Sequence, residues 1–141
     1  MRTLEKVASS QVGSLPGKLG FEWIEVRKGM VHGRFEIAPK HLSPHGHLHG
    51  ATIVALADPS CGFGCLASVP DGAVTFAAGE LKANFIGTTA NDVVSCRAQL
   101  AHAGHTTQVW DAEVRGKETG RTIALFRCAQ MLLCPAGGVR S

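Results

Sequence analysis

The chain has 141 residues, of which 45% are hydrophobic and 18% charged, the composition of a folded domain with a real core and not of a disordered chain. The formal net charge is only +3, and Lys and Arg never cluster in a basic run, so the footprint of a nucleic-acid binder is weak. No stretch of about 18 uncharged apolar residues is present, and no apolar core of a secretory leader follows Met1 to Lys6. Neither nucleic acid nor membrane is therefore expected as a partner, and the expected location is the cytoplasm.

In chain order, residues 3–12 read as a short amphipathic helix, and Pro16-Gly17 as a turn. Residues 21–26 and 30–37 read as two strands of a hairpin turning at Lys28 and Gly29. Residues 39–50 hold two prolines, two glycines and four histidines and read as a structured loop. The run from Ala51 to Ala57 is almost wholly apolar and rich in Ala and Leu, and its apolar character continues through Phe63 and Leu66. A helix is expected there, apolar nearly all round and therefore buried. Pro70-Asp71-Gly72 marks a turn. Four strands then follow over 74–86, 93–103, 106–115 and 121–133, separated by Gly-, Asn- and charge-rich breaks. Long strands after one apolar helix predict an α+β fold, an antiparallel sheet wrapped around that helix, in one domain over 1–141. Residues 1–18 form its N-terminal helix and turn in this reading, and 134–141 a flexible tail.

Five cysteines, Cys61, Cys65, Cys96, Cys128 and Cys134, are odd in number and irregular in spacing, matching neither a disulfide framework nor a zinc site. Cys61 and Cys65 share a helix face and read as small buried hydrophobes. His41, His45, His47 and His49 crowd one loop. Alternate histidines can bind zinc or nickel, but no closed ligand spacing is present. Contacts to substrate or water, and plain structural roles, are the other readings. His102 and His105 lie near a strand turn.

One charge, Asp58, interrupts the apolar helix. A buried carboxylate is costly unless paired or protonated, so it is either functional or hydrogen-bonded at a subunit interface. Pro59 is expected to bend the helix locally and push Asp58 away from α geometry. The helix starts at His49-Gly50, where free backbone N–H groups and the positive end of the dipole suit an oxyanion or a polarised carbonyl. At a rise of 1.5 Å per residue, Gly50 and Asp58 are roughly 12 Å apart along the helix. They cannot grip one carbonyl within a chain. Two such helices antiparallel across a two-fold axis would bring the Asp58 of one protomer to the Gly50 of the other.

At this point the motifs resemble a known family. His49-Gly50 with Leu56-Ala57-Asp58 is similar to the H-G-G-x(5)-L-A-D signature of hot-dog-fold acyl-CoA thioesterases, nearest to the phenylacetate-degradation type. Ser43-Pro44-x-Gly46-x-x-His49 resembles that family's N-P-x-G-x-x-H lead-in, and Glu80-Leu81-Lys82-Ala83-Asn84-Phe85 its E-L-K-x-N-F strand. The resemblance spans roughly residues 19–133.

The resemblance implies a homodimer, or a homotetramer built from it, with a continuous sheet around two helices. It implies hydrolysis of an acyl-CoA thioester without cofactor or metal. Asp58 would be general base or nucleophile, Gly50 N–H of the partner chain would polarise the carbonyl, and His49 would shape the helix start. Ser43, Gly46, Ala51 and Asn84 would line the substrate site. The chain departs from the pattern at Ser43, where an amide side chain is usual, at Ala51 in place of the second glycine, at Ala77-Ala78-Gly79 with Thr75 displaced, and at Pro59. Two alternatives stay open: a non-catalytic acyl-CoA-binding or regulatory hot-dog protein, and a hot-dog hydratase or dehydratase.

Overall fold

A computed structural model describes residues 4–69 and 75–133 of the chain. The turn expected at Pro70-Asp71-Gly72, the tail expected over 134–141, and Cys134 lie outside the described residues. The chain begins with helix α1 (Leu4–Ser10), whose Val7 is fully buried. Gln11 ties this segment down: its Oε1 accepts the Trp23 indole N–H at 2.6 Å and its Nε2 donates to the Phe21 carbonyl at 2.8 Å. Pro16-Gly17 is not a simple turn but part of a one-turn helix, α2 (Leu15–Lys18). Proline fits the first helical turn, where its missing N–H would have no partner.

Strands β1 (Glu22–Arg27) and β2 (Met30–Glu36) form the expected hairpin, with Gly29 at φ +82°. A 3-10 turn (Pro39–His41) opens the histidine loop. Helix α3 (Gly50–Ala67) follows, then β3 (Thr75–Phe85), β4 (Val93–Ala103), β5 (Thr107–Gly116) and β6 (Thr122–Leu133). All pairings are antiparallel, and the six strands run in the order β1-β2-β4-β5-β6-β3. The sheet curls around α3, which contacts every strand. This is the hot-dog architecture, α+β as the patterning predicts.

The core lies between the concave face of the sheet and α3. Inward positions alternate along β5 as Gln108, Trp110, Ala112 and Val114, all buried. On α3 the matching face carries Ile53, Leu56, Ala57, Cys61 and Cys65. Small residues let helix and sheet approach closely. A Cβ on Gly64 would fall inside the buried Trp110 indole, so Gly64→Ala is expected to destabilise the fold by about 1–3 kcal/mol, read as a lower denaturant midpoint.

Two features differ from expectation. The helix runs through Pro59 without interruption, and Asp58 keeps helical geometry. Packing on all six strands outweighs the local cost of the proline, and beside it the Ser60 hydroxyl donates to the Leu56 carbonyl at 2.7 Å. Nor is α3 covered all round. Ala51 is exposed, and Val54, Ala55, Asp58, Pro59 and Leu66 are only half-buried, leaving an apolar stripe that the protomer's own sheet does not reach.

Strand β3 is the edge of the sheet, paired on one side by β6. Its side chains are exposed on both faces, except for the half-buried Phe76 and Ala83. The pairing slips between Ala78 and Glu80, a β-bulge at Gly79. One extra residue exchanges the faces of everything after it. Phe76 and Ala78 face α3 before the bulge, and Leu81, Ala83 and Phe85 after it, opposite the buried Leu132, Gln130, Cys128, Phe126 and Ala124 of β6.

Candidate active site

The loop before α3 is built by local hydrogen bonds. The Ser43 carbonyl accepts from Gly46 N–H at 2.9 Å, Ser43 N–H donates to the His47 carbonyl at 2.7 Å, and Gly46 takes φ +86°. Pro44 and Gly46 thus supply a fixed turn and a left-handed residue, as such turns require. The Ser43 hydroxyl accepts His45 N–H at 3.3 Å. His45 and His47 are exposed on this turn.

His41 is different. It is buried, its Nδ1 accepts Ala38 N–H at 2.9 Å, and its Nε2 lies 2.7 Å from the Leu19 carbonyl. Both ring nitrogens are therefore used, with the proton on Nε2. Its own carbonyl receives His49 N–H at 3.0 Å and the Thr52 hydroxyl at 3.1 Å, so His41 props the start of α3. Among the described residues no three His, Cys, Asp or Glu side chains are arranged to hold a metal ion.

His49 caps α3. Its Nδ1 accepts Ala51 N–H at 3.0 Å, and its carbonyl accepts the N–H groups of Thr52 and Ile53 at 2.9 and 3.3 Å. Every donor of the first turn is then used except one: Gly50 N–H donates to no acceptor among the described residues. Gly50 is half-buried beside the ring of Phe85, and a Cβ there would meet that ring at 3.1–3.4 Å. Phe85, the last residue of the Glu80–Phe85 strand motif, is itself 55% exposed, and the motif assigns it no role of its own.

Asp58 lies two turns further along α3, on the half-covered stripe. One of its carboxylate oxygens, Oδ1, is buried without a hydrogen-bond partner. Burial pushes its carboxyl above the ordinary value of 3.8, because desolvation disfavours the charged form. The groups facing it are thiols: its charge acts on Cys61 of its own helix and on Cys128 of β6. The hydrogen bond from Cys61 holds the Cys128 thiol below its ordinary value, whereas the other three buried thiols are raised. Cys61, Cys65, Cys96 and Cys128 are all buried. The Cys61 thiol is pushed up by its hydrogen bond to Cys128 and by burial, and burial takes Cys65 and Cys96 to about 12. A thiol held that high stays protonated and inert at neutral pH.

The protomer thus brings together Ser43, Gly46, His49, Gly50 and Ala51 around the start of α3. Asp58 stands apart on the same helix. Asn84 does not join them: it lies on the outer face of the sheet, paired with Leu125. A concavity of about 410 Å³ opens on that outer face, lined by Lys82, Asn84, Arg97, Asp111, Glu113 and Arg127. The sheet separates it from Asp58 and Gly50, so it is remote from the chemistry they offer.

Residues 45–129 match the thioesterase superfamily. A 1,4-dihydroxy-2-naphthoyl-CoA hydrolase of Listeria monocytogenes is 30% identical over 110 residues, covering 78% of this chain and 88% of that one. The acyl-coenzyme A thioesterase PaaI of Escherichia coli is 29% identical over 114 residues, covering 77% and 75%. A mutant thioesterase from Pseudomonas aeruginosa shares the fold with a TM-score of 0.89 at 23% identity, covering 96% of each chain. Fold and relatives together define a hot-dog enzyme of thioester hydrolysis. The chain belongs to the thioesterase superfamily, among its acyl-CoA-hydrolysing, PaaI-like members.

Proposed function

We propose that the protein hydrolyses an aromatic or short- to medium-chain acyl-CoA thioester to the free acid and CoA, at a site that each of two protomers completes for the other. The observation that carries this reading is the pairing of two unused groups: the buried, unpartnered Asp58 Oδ1 and the free Gly50 N–H at the helix start. An acceptor and a donor are both left unpaired on one helix. Hydrolysis of a thioester needs both, a base or nucleophile on one side of the carbonyl and a donor to the developing oxyanion on the other.

In this reading the partner's Gly50 N–H polarises the thioester carbonyl. Asp58 either takes a proton from the attacking water or attacks the carbonyl itself; its desolvation strengthens it in both roles. Collapse of the tetrahedral intermediate expels the CoA thiolate; where Asp58 is the nucleophile it leaves an acyl–Asp58 anhydride, which water then hydrolyses to the free acid and the Asp58 carboxylate. His49, exposed and committed through Nδ1 to Ala51, positions the donor by capping the helix. Ser43, Gly46 and Ala51 border the same entrance. A panel of acyl-CoA esters assayed with a thiol reagent tests the reaction: release of free CoA from at least one ester is expected. Binding without thiol release would instead support the regulatory alternative.

The need for a second chain is supported by what one protomer leaves uncovered. Helix and edge strand expose a contiguous apolar zone, with Leu81 at 44%, Phe85 at 55% and Ile86 at 59%. A long unpaired edge strand beside such a zone is a template for pairing with another copy. Sedimentation is expected to give a mass of at least twice the 14.8 kDa chain. Leu81→Asp, which places a charge in this zone, is expected to shift the mass toward the monomer and remove most of the activity. An active monomer would rule out the shared site.

A further inference from the structure

Cys61, Cys65, Cys96 and Cys128 lie buried between α3 and the sheet, and the hydrolytic chemistry proposed above uses none of them. They are not equivalent. Cys61 of α3 and Cys128 of β6 meet sulfur to sulfur, the Cys61 thiol donating to Cys128. Cys96 of β4 has Ser60 as its polar neighbour instead.

Gln130, the next inward residue of β6, sets Cys128 further apart. Gln130 is fully buried, and its Nε2 donates to Cys128 Sγ at 3.3 Å. Gln108, directly opposite on β5 and equally buried, shows what such an amide does for the fold. Its Oε1 accepts the Trp110 indole N–H at 2.9 Å, and its Nε2 donates to the Ser68 carbonyl at 3.1 Å. The Gln130 amide is used differently: its N–H goes to a sulfur, and its Oε1 has no partner among the described residues. Two donors, from Cys61 and from Gln130, thus converge on Cys128 Sγ. Donors to a sulfur favour its thiolate. The Cys128 thiol lies below its ordinary value, held there by Cys61 and to a lesser degree by Gln130, against burial and the Asp58 charge.

A sulfur with thiolate character beside a second thiol is the arrangement of a reversible oxidation site. We propose that Cys128 and Cys61 form such a site, at which hydrogen peroxide oxidises Cys128 and Cys61 then closes a disulfide joining α3 to β6. The Cys128 sulfur attacks one peroxide oxygen, and the O–O bond breaks. The sulfur becomes a sulfenic acid, and the departing hydroxide leaves as water with the proton of the Cys128 thiol. The new S–O–H is a donor beside the idle Gln130 Oε1. The Cys61 sulfur then attacks the Cys128 sulfur. The S–S bond forms, and the sulfenic oxygen leaves as a second water with the Cys61 proton. Two thiols have lost two electrons to one peroxide.

The pair is buried but not deep. The half-buried Asp58 acts on both sulfurs, and Leu81, across the β3–β6 pair from Cys128, is 44% exposed. Cys61 follows Asp58 by less than one helical turn. A disulfide draws the two sulfurs to about 2 Å, so it displaces the helix beside Asp58 and is expected to depress hydrolysis. That consequence alone rests on the hydrolytic reading.

The test treats the native protein with hydrogen peroxide, alkylates the remaining thiols under denaturing conditions and maps the digest by mass spectrometry. The expected product is a peptide pair linked through Cys61 and Cys128, which dithiothreitol separates. In Cys61→Ala the oxidation is expected to stop at a Cys128 sulfenic acid that dimedone traps. In Cys128→Ala, Cys61 is expected to stay reduced at the same dose. Cys128 recovered as an alkylated thiol from the native protein, or linked to Cys65, Cys96 or Cys134 in place of Cys61, would overturn the proposal. This reading needs neither a substrate nor a variant. Where the reduced enzyme releases CoA from an ester, the linked form is expected to lose most of its turnover and to regain it with dithiothreitol. Full turnover in the linked form overturns the regulatory consequence and leaves hydrolysis in place. If the reduced enzyme hydrolyses no ester, the hydrolytic reading fails separately and the peptide map decides the oxidation site.

Discussion

Asp58→Asn is expected to lower turnover of every acyl-CoA ester the enzyme accepts by at least about a hundredfold, roughly 2.7 kcal/mol in the barrier, while leaving the fold as stable as before or more so. The two halves of this expectation belong together. A carboxylate kept for structure would be hydrogen-bonded, and removing its charge would weaken the fold. Asp58 Oδ1 has no partner, and burial holds its carboxyl above the ordinary value of 3.8. The sign follows from linkage. With the folded value raised, the native chain binds this proton more tightly than the unfolded one. Stability is gained as pH falls through the folded value and is lost above it, so the ionised group is a burden at neutral pH. Asparagine removes that burden along with the base. Thermal unfolding at neutral pH should show an unchanged or higher midpoint. The acid limb of kcat/KM should lie above the usual aspartate range in the native enzyme, since the essential base must be ionised. Unchanged turnover in Asp58→Asn would remove Asp58 from the chemistry.

The second large effect is expected at Gly50. Gly50→Pro deletes the one donor of the helix start that the protomer leaves free, and it does so at the first helical position, where proline is well accepted. His49 before it already has extended backbone, φ −72° and ψ 134°, which a following proline requires. Loss of one oxyanion donor costs about 10²–10³ in kcat, and that is the expected drop. Gly50→Ala is the control. Its Cβ presses on the Phe85 ring at 3.1–3.4 Å, as the proline ring would, but it keeps the N–H. The ring is exposed enough to yield, so Gly50→Ala should retain far more activity than Gly50→Pro. Equal losses in the two variants would assign the effect to crowding by Phe85 and not to the missing donor.

Much of this was legible in the residues, for reasons that can be stated. The Ala- and Leu-rich run after Gly50 could only be a buried helix if its apolar character persisted past Asp58, and it does, through Cys65. The hairpin at Lys28-Gly29 and the strands after residue 74 follow from alternation and turn chemistry. The lone charge in the apolar run marked Asp58 directly.

Other features were hidden. Asn84 is assigned to the substrate site only by the resemblance of its strand motif; the bulge at Gly79, which residue types alone do not reveal, turns it to the outer face. His41 looks like its loop neighbours in sequence, yet it is the one packed against Phe21 and Phe35. The uncovered stripe of α3 reads as core because a residue buried by a second chain carries the same apolar signature as one buried by its own. Pro59 misleads for a related reason, since local propensity yields to packing on six strands. Gln130 left a faint trace, a polar residue in the apolar phase of β6, but only the unused end of its amide sets it apart from Gln108.

The central claim is that Asp58 of one protomer and Gly50 of the other act on the same carbonyl. The most direct measurement is turnover by mixed dimers, made by co-expressing Asp58→Asn and Gly50→Pro chains with different tags and purifying through both. In such a dimer one site carries both defects and the other carries none. Two nearly inactive parents should therefore yield a mixed dimer with about half the native activity per dimer. If both groups came from one chain, every site would hold a defect, and a mixed dimer as inactive as its parents would contradict the shared site.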